Sequence, residues 1–478
     1  MKIYRALDDM QAVKEKIITL NVIMPEQLNS LRIKEELWNC NGNGCVDGKN
    51  AKCDINRKEQ KKDIHKKTQI ISKTEQNSRI EKILCKLYKC LEEMKLQPFE
   101  AVLKYNLLRN HQELKFAMET LKLRDSINLF IIDAGEYGVN LEYQKMLFLL
   151  RDYAKSENYK ATITERGADR RCGDDLNEGN FFTDSIGGII VDGQSELFTK
   201  KIGREMVFAA NMAGCSFVGR GLVEAIGDLG NYDLKSRLSG ISRDEAYENS
   251  AIELVNRLVD YKCEQIVRRE KRKYGELNIS CGKNGIKRKI LAIHSSHFKK
   301  SNTLGLWEIV RKNIADRNIE VTQISLAKNN VDDCRGCTHD TCLHFGEQSS
   351  CYYGGYIVDE VFPRVLESDA IVMISPNYND SLSGNLVAFI NRLTSLYKVN
   401  AIEEKAIFGI IVSGYSGSDI VAEQIIGAMS MNKGFFLPSK FVIYERANRA
   451  NEILECENIE EKGRRFAENI WLSLEKKL

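Results

Sequence analysis

Hydroxyl, amide and glycine residues gather in three stretches of the C-terminal half of this 478-residue chain. The first is His294-Ser295-Ser296-His297-Phe298-Lys299-Lys300-Ser301-Asn302-Thr303. The second is Ser375-Pro376-Asn377-Tyr378-Asn379-Asp380-Ser381-Leu382-Ser383-Gly384-Asn385, and the third Ser413-Gly414-Tyr415-Ser416-Gly417-Ser418. Hydroxyls and backbone N–H groups at a helix start suit a dianionic phosphate, because orphan amides and the helix dipole both favour negative charge. Taken alone, the first stretch reads equally well as an ordinary helix cap at Ser301 or Asn302. The backbone of the second stretch, with Tyr378, suits a flat aromatic ring, and the third suits the far side of that ring.

A second constellation is Cys334-x2-Cys337-x4-Cys342-x8-Cys351. Four thiolates at this spacing suit a [4Fe–4S] cluster or a zinc ion; the same residues read equally as free or redox-active thiols. His339 and His344 lie inside this stretch and read as surface residues rather than ligands. Cys40, Cys45 and Cys53 echo the pattern with one member fewer. Of fourteen cysteines, Cys85 and Cys90 fall in an amphipathic helical stretch and Cys215 and Cys263 among apolar neighbours, which is core behaviour. The six histidines form no His-x-x-Glu-His type pattern, and no Gly-x-Ser-x-Gly elbow occurs.

The three stretches follow short apolar runs. Residues 288–293, 319–324, 370–374, 406–412 and 441–444 read as strands, with helices over 304–315, 355–367 and 458–477. Five strands alternating with helices imply a doubly wound parallel α/β sheet, with a flavodoxin-like strand order as the leading topology. Loops at the carboxyl ends of such strands are where these sheets bind ligands. An internal repeat pairs Gly188-Ile189-Ile190-Val191-Asp192-Gly193-Gln194-Ser195 with Gly409-Ile410-Ile411-Val412-Ser413-Gly414-Tyr415-Ser416, and runs on to Glu224 and Glu445. Residues 1–265 are thus expected to be a degenerate flavodoxin-like domain with a polar insertion over about 54–80. A basic linker is expected over 266–287 and a cofactor-binding domain over 288–478. In the N-terminal copy the second stretch is replaced by Asp133-Ala134-Gly135-Glu136-Tyr137-Gly138.

The net charge of +3, from 70 basic and 67 acidic residues, gives no argument for nucleic acid or an anionic membrane as partner. The first residues lack the apolar core of a signal peptide, and no apolar run is long enough to span a bilayer. A cytoplasmic protein is expected, whose thiols form no disulfide framework.

Two motifs carry a family resemblance. Residues His294 to Thr303 resemble the phosphate loop, and Ser375 to Arg392 the Ser-Pro-x-Tyr-x4-Ser-Gly motif, of the NADPH-dependent FMN reductases and the related iron–sulfur flavoproteins. The resemblance implies FMN, its phosphate at Ser295, His297, Ser301, Asn302 and Thr303. The isoalloxazine would lie against Pro376, Asn377, Tyr378, Asn379, Ser383 and Gly384, with Ser413 and Gly414 beyond. It also implies NAD(P)H as electron donor and a small acceptor such as a quinone, a nitro compound or free flavin. In iron–sulfur flavoproteins a compact cysteine motif sits where Cys334, Cys337, Cys342 and Cys351 stand, which implies a 4Fe–4S cluster. Four positions depart from the family pattern: His294 replaces a glycine, His297 an arginine, and Asn377 and Asn379 apolar and aromatic residues. The rival readings are an FMN electron carrier for protein partners and a cysteine-based redox sensor. A homodimer, or a pairing of the two halves within one chain, completes the expectations, with one FMN per chain.

Overall fold

The structure is a computed structural model that describes residues 20–25, 79–91, 93–94, 99–103, 123–134, 144, 182–273, 287–296, 301–315, 317–327, 329–403 and 405–477. Two parallel five-stranded sheets organise it. The first is built from β1 (Leu20–Pro25), β2 (Phe99–Leu103), β3 (Ile127–Asp133), β4 (Ser185–Gly193) and β5 (Cys215–Ile226), in the order β2-β1-β3-β4-β5. The second contains β6 (Arg288–His294), β7 (Ile319–Ser325), β8 (Ala370–Pro376), β9 (Ala406–Ser413) and β10 (Val442–Arg446), in the order β10-β9-β8-β6-β7. Counted from its first strand, each sheet runs second, first, third, fourth, fifth, the flavodoxin-like order. Strands buried on both faces read as continuous apolar runs, which is why Ile290 to Ile293 and Ala370 to Ile374 were recognisable.

Alternate residues of these strands enter two different cores, as a period of two requires. In the second sheet, Val372 and Ile374 join Trp307 and Ile470, from α5 (Asn302–Ile314) and α11 (Ile459–Lys477). Ile371 and Met373 instead meet Leu386 and Phe389 of α8 (Gly384–Arg392) and Ile425 of α10 (Ser418–Ile425). In the first sheet, the helix over residues 79–91 (α1) and the long α4 (Arg243–Lys273) cover one face, with Ile80, Leu84 and Leu87 among Leu254 and Leu258. The other face is covered by α2 (Glu196–Met212), whose N-cap Ser195 accepts from the N–H of Leu197 at 3.2 Å. The short α3 (Asp233–Ser239) precedes α4. Beyond β7 come α6 (His339–Glu347) and α7 (Phe362–Glu367), and α9 (Thr394–Lys398) follows α8.

Two expectations change in detail. The helix expected over 355–367 is a π turn at Ile357–Val361 followed by α7, with Phe362 donating to Ile357 O. Pro363 has no N–H for the preceding turn, so the ladder shifts ahead of it. Residues 266–273 of the expected linker are the end of α4; the rest, 274–286, lies outside the described residues, as do 54–78 of the expected insertion.

The halves are joined through buried backbone. Phe217 and Leu437 exchange two N–H···O bonds of 2.9 Å each, a single antiparallel bridge. Beside it the fully buried Asn211 donates to Pro438 O (2.7 Å) and Cys215 O (2.9 Å) and accepts from Phe441 N (3.1 Å). Arg204 of α2 pairs with Glu423 of α10 at 3.0 Å.

Candidate functional site

Strands β6 and β8 are neighbours whose connections leave toward opposite edges of the sheet, so a crevice opens beyond their carboxyl ends. The loops after β6, β8 and β9 meet there and are bonded to one another. The hydroxyls of Ser295 and Ser383, both buried, hydrogen-bond and join the first loop to the second. Asn377 joins the second to the third: its backbone N–H reaches Val412 O at 3.0 Å, and Nδ2 reaches Ser413 Oγ (3.2 Å) and Ser416 O (2.6 Å). Ser413 Oγ in turn bonds Ser418 Oγ at 2.6 Å.

The second loop is a tight turn. Tyr378 and Ser381 exchange N–H···O bonds of 3.2 and 3.1 Å, while Asn379 (φ 54°) and Asp380 (φ 57°) sit in the left-handed region. Two consecutive left-handed residues make a type I′ turn, which favours Asn and Asp. That requirement accounts for Asn379 standing where the family has an aromatic. Gln424 of α10 clamps the turn, accepting from Leu382 N (3.0 Å) and donating to Asp380 O (2.9 Å). Gly417 has φ 85°, and a Cβ there would stand 1.8 Å from Asp380 Oδ1 and 2.8 Å from Asn377 Nδ2. Only glycine lets the second and third loops approach so closely.

The remaining candidates divide by what they already hold. Ser301 caps α5 and accepts from Leu304 N at 3.4 Å; Thr303 is buried in its first turn. Asn302 spends its amide elsewhere, donating to Arg449 O (2.8 Å) and accepting from Ile453 N (3.2 Å). Ser383 caps α8 by position, but its hydroxyl is turned to Ser295 and makes no capping bond. A Cβ on Gly384 would meet nothing within 4 Å, so the space above the start of α8 is open. Gly414 faces Asn448, whose Oδ1 would lie 3.3 Å from a Cβ at that position. Tyr378 is half exposed and Tyr415 86% exposed, presenting flat rings at the mouth of the crevice. Pro376 ends β8. Asn377 Oδ1 is a buried acceptor with no partner among the described residues. His297, Lys299 and Lys300 lie outside the described residues.

An open space over a helix start, two aromatic rings and a buried acceptor lacking a donor suit a flat heterocycle that carries N–H groups and a phosphate. The cysteine stretch is attached to the same scaffold by the residues that end the second motif. Arg392, buried at the end of α8, donates to Asp332 O (3.3 Å) and Gly354 O (2.6 Å), and Asn391 Nδ2 to Asp333 Oδ1 (2.9 Å). Cys334 and Cys337 are exposed, Cys342 is half-buried and Cys351 buried. Burial, and then the neighbouring Cys337, push the Cys342 thiol up, while Lys398 opposes them. Among the described residues no three Cys, His, Asp or Glu side chains are arranged to hold a metal ion. The thiols as placed do not form a ligand shell. His339 and His344 are exposed, and Cys40, Cys45 and Cys53 lie outside the described residues.

Arg79, at the start of α1, donates from Nε to Asp192 Oδ2 at 2.8 Å and from Nη1 to Gly227 O at 2.6 Å. Asp192, near the end of β4, is fully buried.

Known proteins resemble parts of this chain. An iron–sulfur flavoprotein of Archaeoglobus fulgidus is 32% identical over 104 residues, 22% of this chain. The chain spans 48% of the length of that curated relative. Among solved structures, a flavodoxin from the domain Archaea is similar at 17% identity and a TM-score of 0.24, over 38% of this chain and 98% of its own. An FMN-dependent NADH-azoreductase from Bacillus anthracis is similar at 11% identity and a TM-score of 0.25, over 38% and 99%. Residues 288–448, which hold all three loops, match the model of the NADPH-dependent FMN reductase family.

Proposed function

We propose that the three joined loops hold FMN and that the protein is a flavin oxidoreductase taking electrons from NAD(P)H to a small acceptor. The observation that carries this is the bonded meeting of three loops at the switch point, inside the region that matches the FMN reductase family. FMN supplies the electron chemistry when bound. The chain's own residues supply place and polarity. Ser295, Ser296, Ser301 and Thr303 surround the phosphate position, with His297, Lys299 and Lys300 in the same loop. Asn302 supports the loop through residues 449–453 rather than the ligand. Pro376, Asn377, Tyr378, Asn379, Ser383 and Gly384 line the ring, Ser413 and Gly414 lie beyond it, and Asn377 Oδ1 offers its acceptor to a ring N–H. Tyr415 leaves one side open to a nicotinamide or an acceptor. The acceptor class the reading favours is a quinone, a nitro compound or free flavin.

The test is anaerobic mixing of the FMN-loaded full chain with NADPH or NADH, followed by a quinone. Bleaching of the flavin absorbance by the nucleotide and its return with the quinone support the reading. A flavin that binds but is reduced by neither nucleotide would instead favour an electron carrier fed by a protein partner.

A further inference from the structure

His294 ends β6 and is 7% exposed, at a position where the family pattern has glycine. Its Nδ1 accepts the backbone N–H of Ser296 at 3.2 Å. A ring nitrogen that accepts carries no proton, so the neutral imidazole holds its hydrogen on Nε2. No hydrogen bond from Nε2 occurs among the described residues. Burial holds the ring below the ordinary histidine range and is the sole cause, with no charged side chain contributing. Its register partners, Ser325 of β7 and Ile374 of β8, are uncharged, and the neighbouring Ser295 bonds Ser383. The other titratable groups of its loop are His297, Lys299 and Lys300. The first loop thus contains one amide withheld by a side chain that can release it.

We propose that His294 reads the phosphate of the cofactor, taking up a proton at Nδ1 and surrendering the Ser296 N–H to the phosphate oxygens when FMN binds. The inference rests on the FMN reading above. A dianion beside an imidazole favours the charged ring. A protonated Nδ1 is a donor and no longer accepts, so its bond to Ser296 is lost and that amide is freed. The proton comes from solvent, and no covalent bond is made or broken. The cation so formed supplies charge that an arginine at position 297 supplies in the family pattern. Because binding takes up a proton, affinity for FMN rises as pH falls toward the lowered His294 pKa. Riboflavin, which has no phosphate, is indifferent to pH.

The experiment is fluorescence titration of the full chain with FMN and with riboflavin between about pH 8 and about pH 6.5, above the second phosphate pKa of about 6. His294→Asn keeps an acceptor for Ser296 but cannot ionise; His294→Gly restores the family residue; His339→Asn, at an exposed histidine outside the three loops, is the control. In the native chain and in His339→Asn the FMN Kd is expected to fall severalfold over this range, with a limit of about tenfold per pH unit for one linked proton. In both His294 variants it is expected to stay level, as riboflavin does throughout. If the slope persists in His294→Asn and His294→Gly, or riboflavin shares it, the proposal is overturned while the flavin site stands. If the native chain binds no FMN at any pH, the cofactor reading falls and the proposal with it.

Discussion

At Gly417 one hydrogen in place of a methyl group lets two loops touch. Its φ of 85°, and the 1.8 Å that would separate a Cβ there from Asp380 Oδ1, mean that Gly417→Ala must move the turn at 378–381. The backbone term alone costs about 1–2 kcal/mol. A drop in thermal stability together with at least severalfold weaker FMN binding is expected, measured by melting and fluorescence titration. Asn377→Leu removes the bonds to Ser413 and Ser416, and is expected to weaken FMN binding about tenfold, the loss of one to two kcal/mol of hydrogen bonding. Residues at this scale were only partly legible. The serines, glycines and Tyr378 announced themselves by type and clustering. Gln424 and Asn448 did not, because each reaches the site across a strand–helix unit and leaves no local pattern. Asn302 looked like a ligand by position, yet its side chain holds the segment before α11.

Elements were legible wherever a strand is buried on both faces. β6, β8 and β9 appeared within two residues of their observed ends because an unbroken branched run has few alternatives. The π turn before α7 and the full length of α4 were not, since both depend on where hydrogen bonds go rather than on apolar spacing. Two element contacts make predictions. Asn211 satisfies three backbone groups between α2, β5 and the segment before β10. Asn211→Ala leaves them buried without it, a loss of about 1–3 kcal/mol in chemical denaturation. Arg79, at the start of α1, clamps the buried Asp192 near the end of β4. Arg79→Met is expected to cost about 3–5 kcal/mol, and adding Asp192→Leu should recover part of it, because removing one partner of a buried charge pair costs more than replacing both by apolar residues. Full stability in Arg79→Met alone would show that the clamp contributes nothing.

Over the whole molecule, two sheets with one strand order stand in one chain, and the repeat alignment that pairs Gly188 with Gly409 also pairs Ser216 with Leu437. Phe217 bridges Leu437, so segments equivalent in that alignment face each other across the junction. We propose that the halves form an internal pseudo-dimer in which the C-terminal crevice is the working one. The repeat is what suggests this pairing in the sequence; the Arg79–Asp192 clamp was not legible there, because the two residues are distant in sequence and each is ordinary in type. The most direct measurement is an equilibrium titration of the full chain with FMN, read by flavin fluorescence and by the absorbance of the isolated complex. One FMN per chain, bound at least severalfold more weakly in Gly417→Ala and retained in Arg79→Met/Asp192→Leu, is the expected result; no bound flavin, or two per chain, would contradict the account.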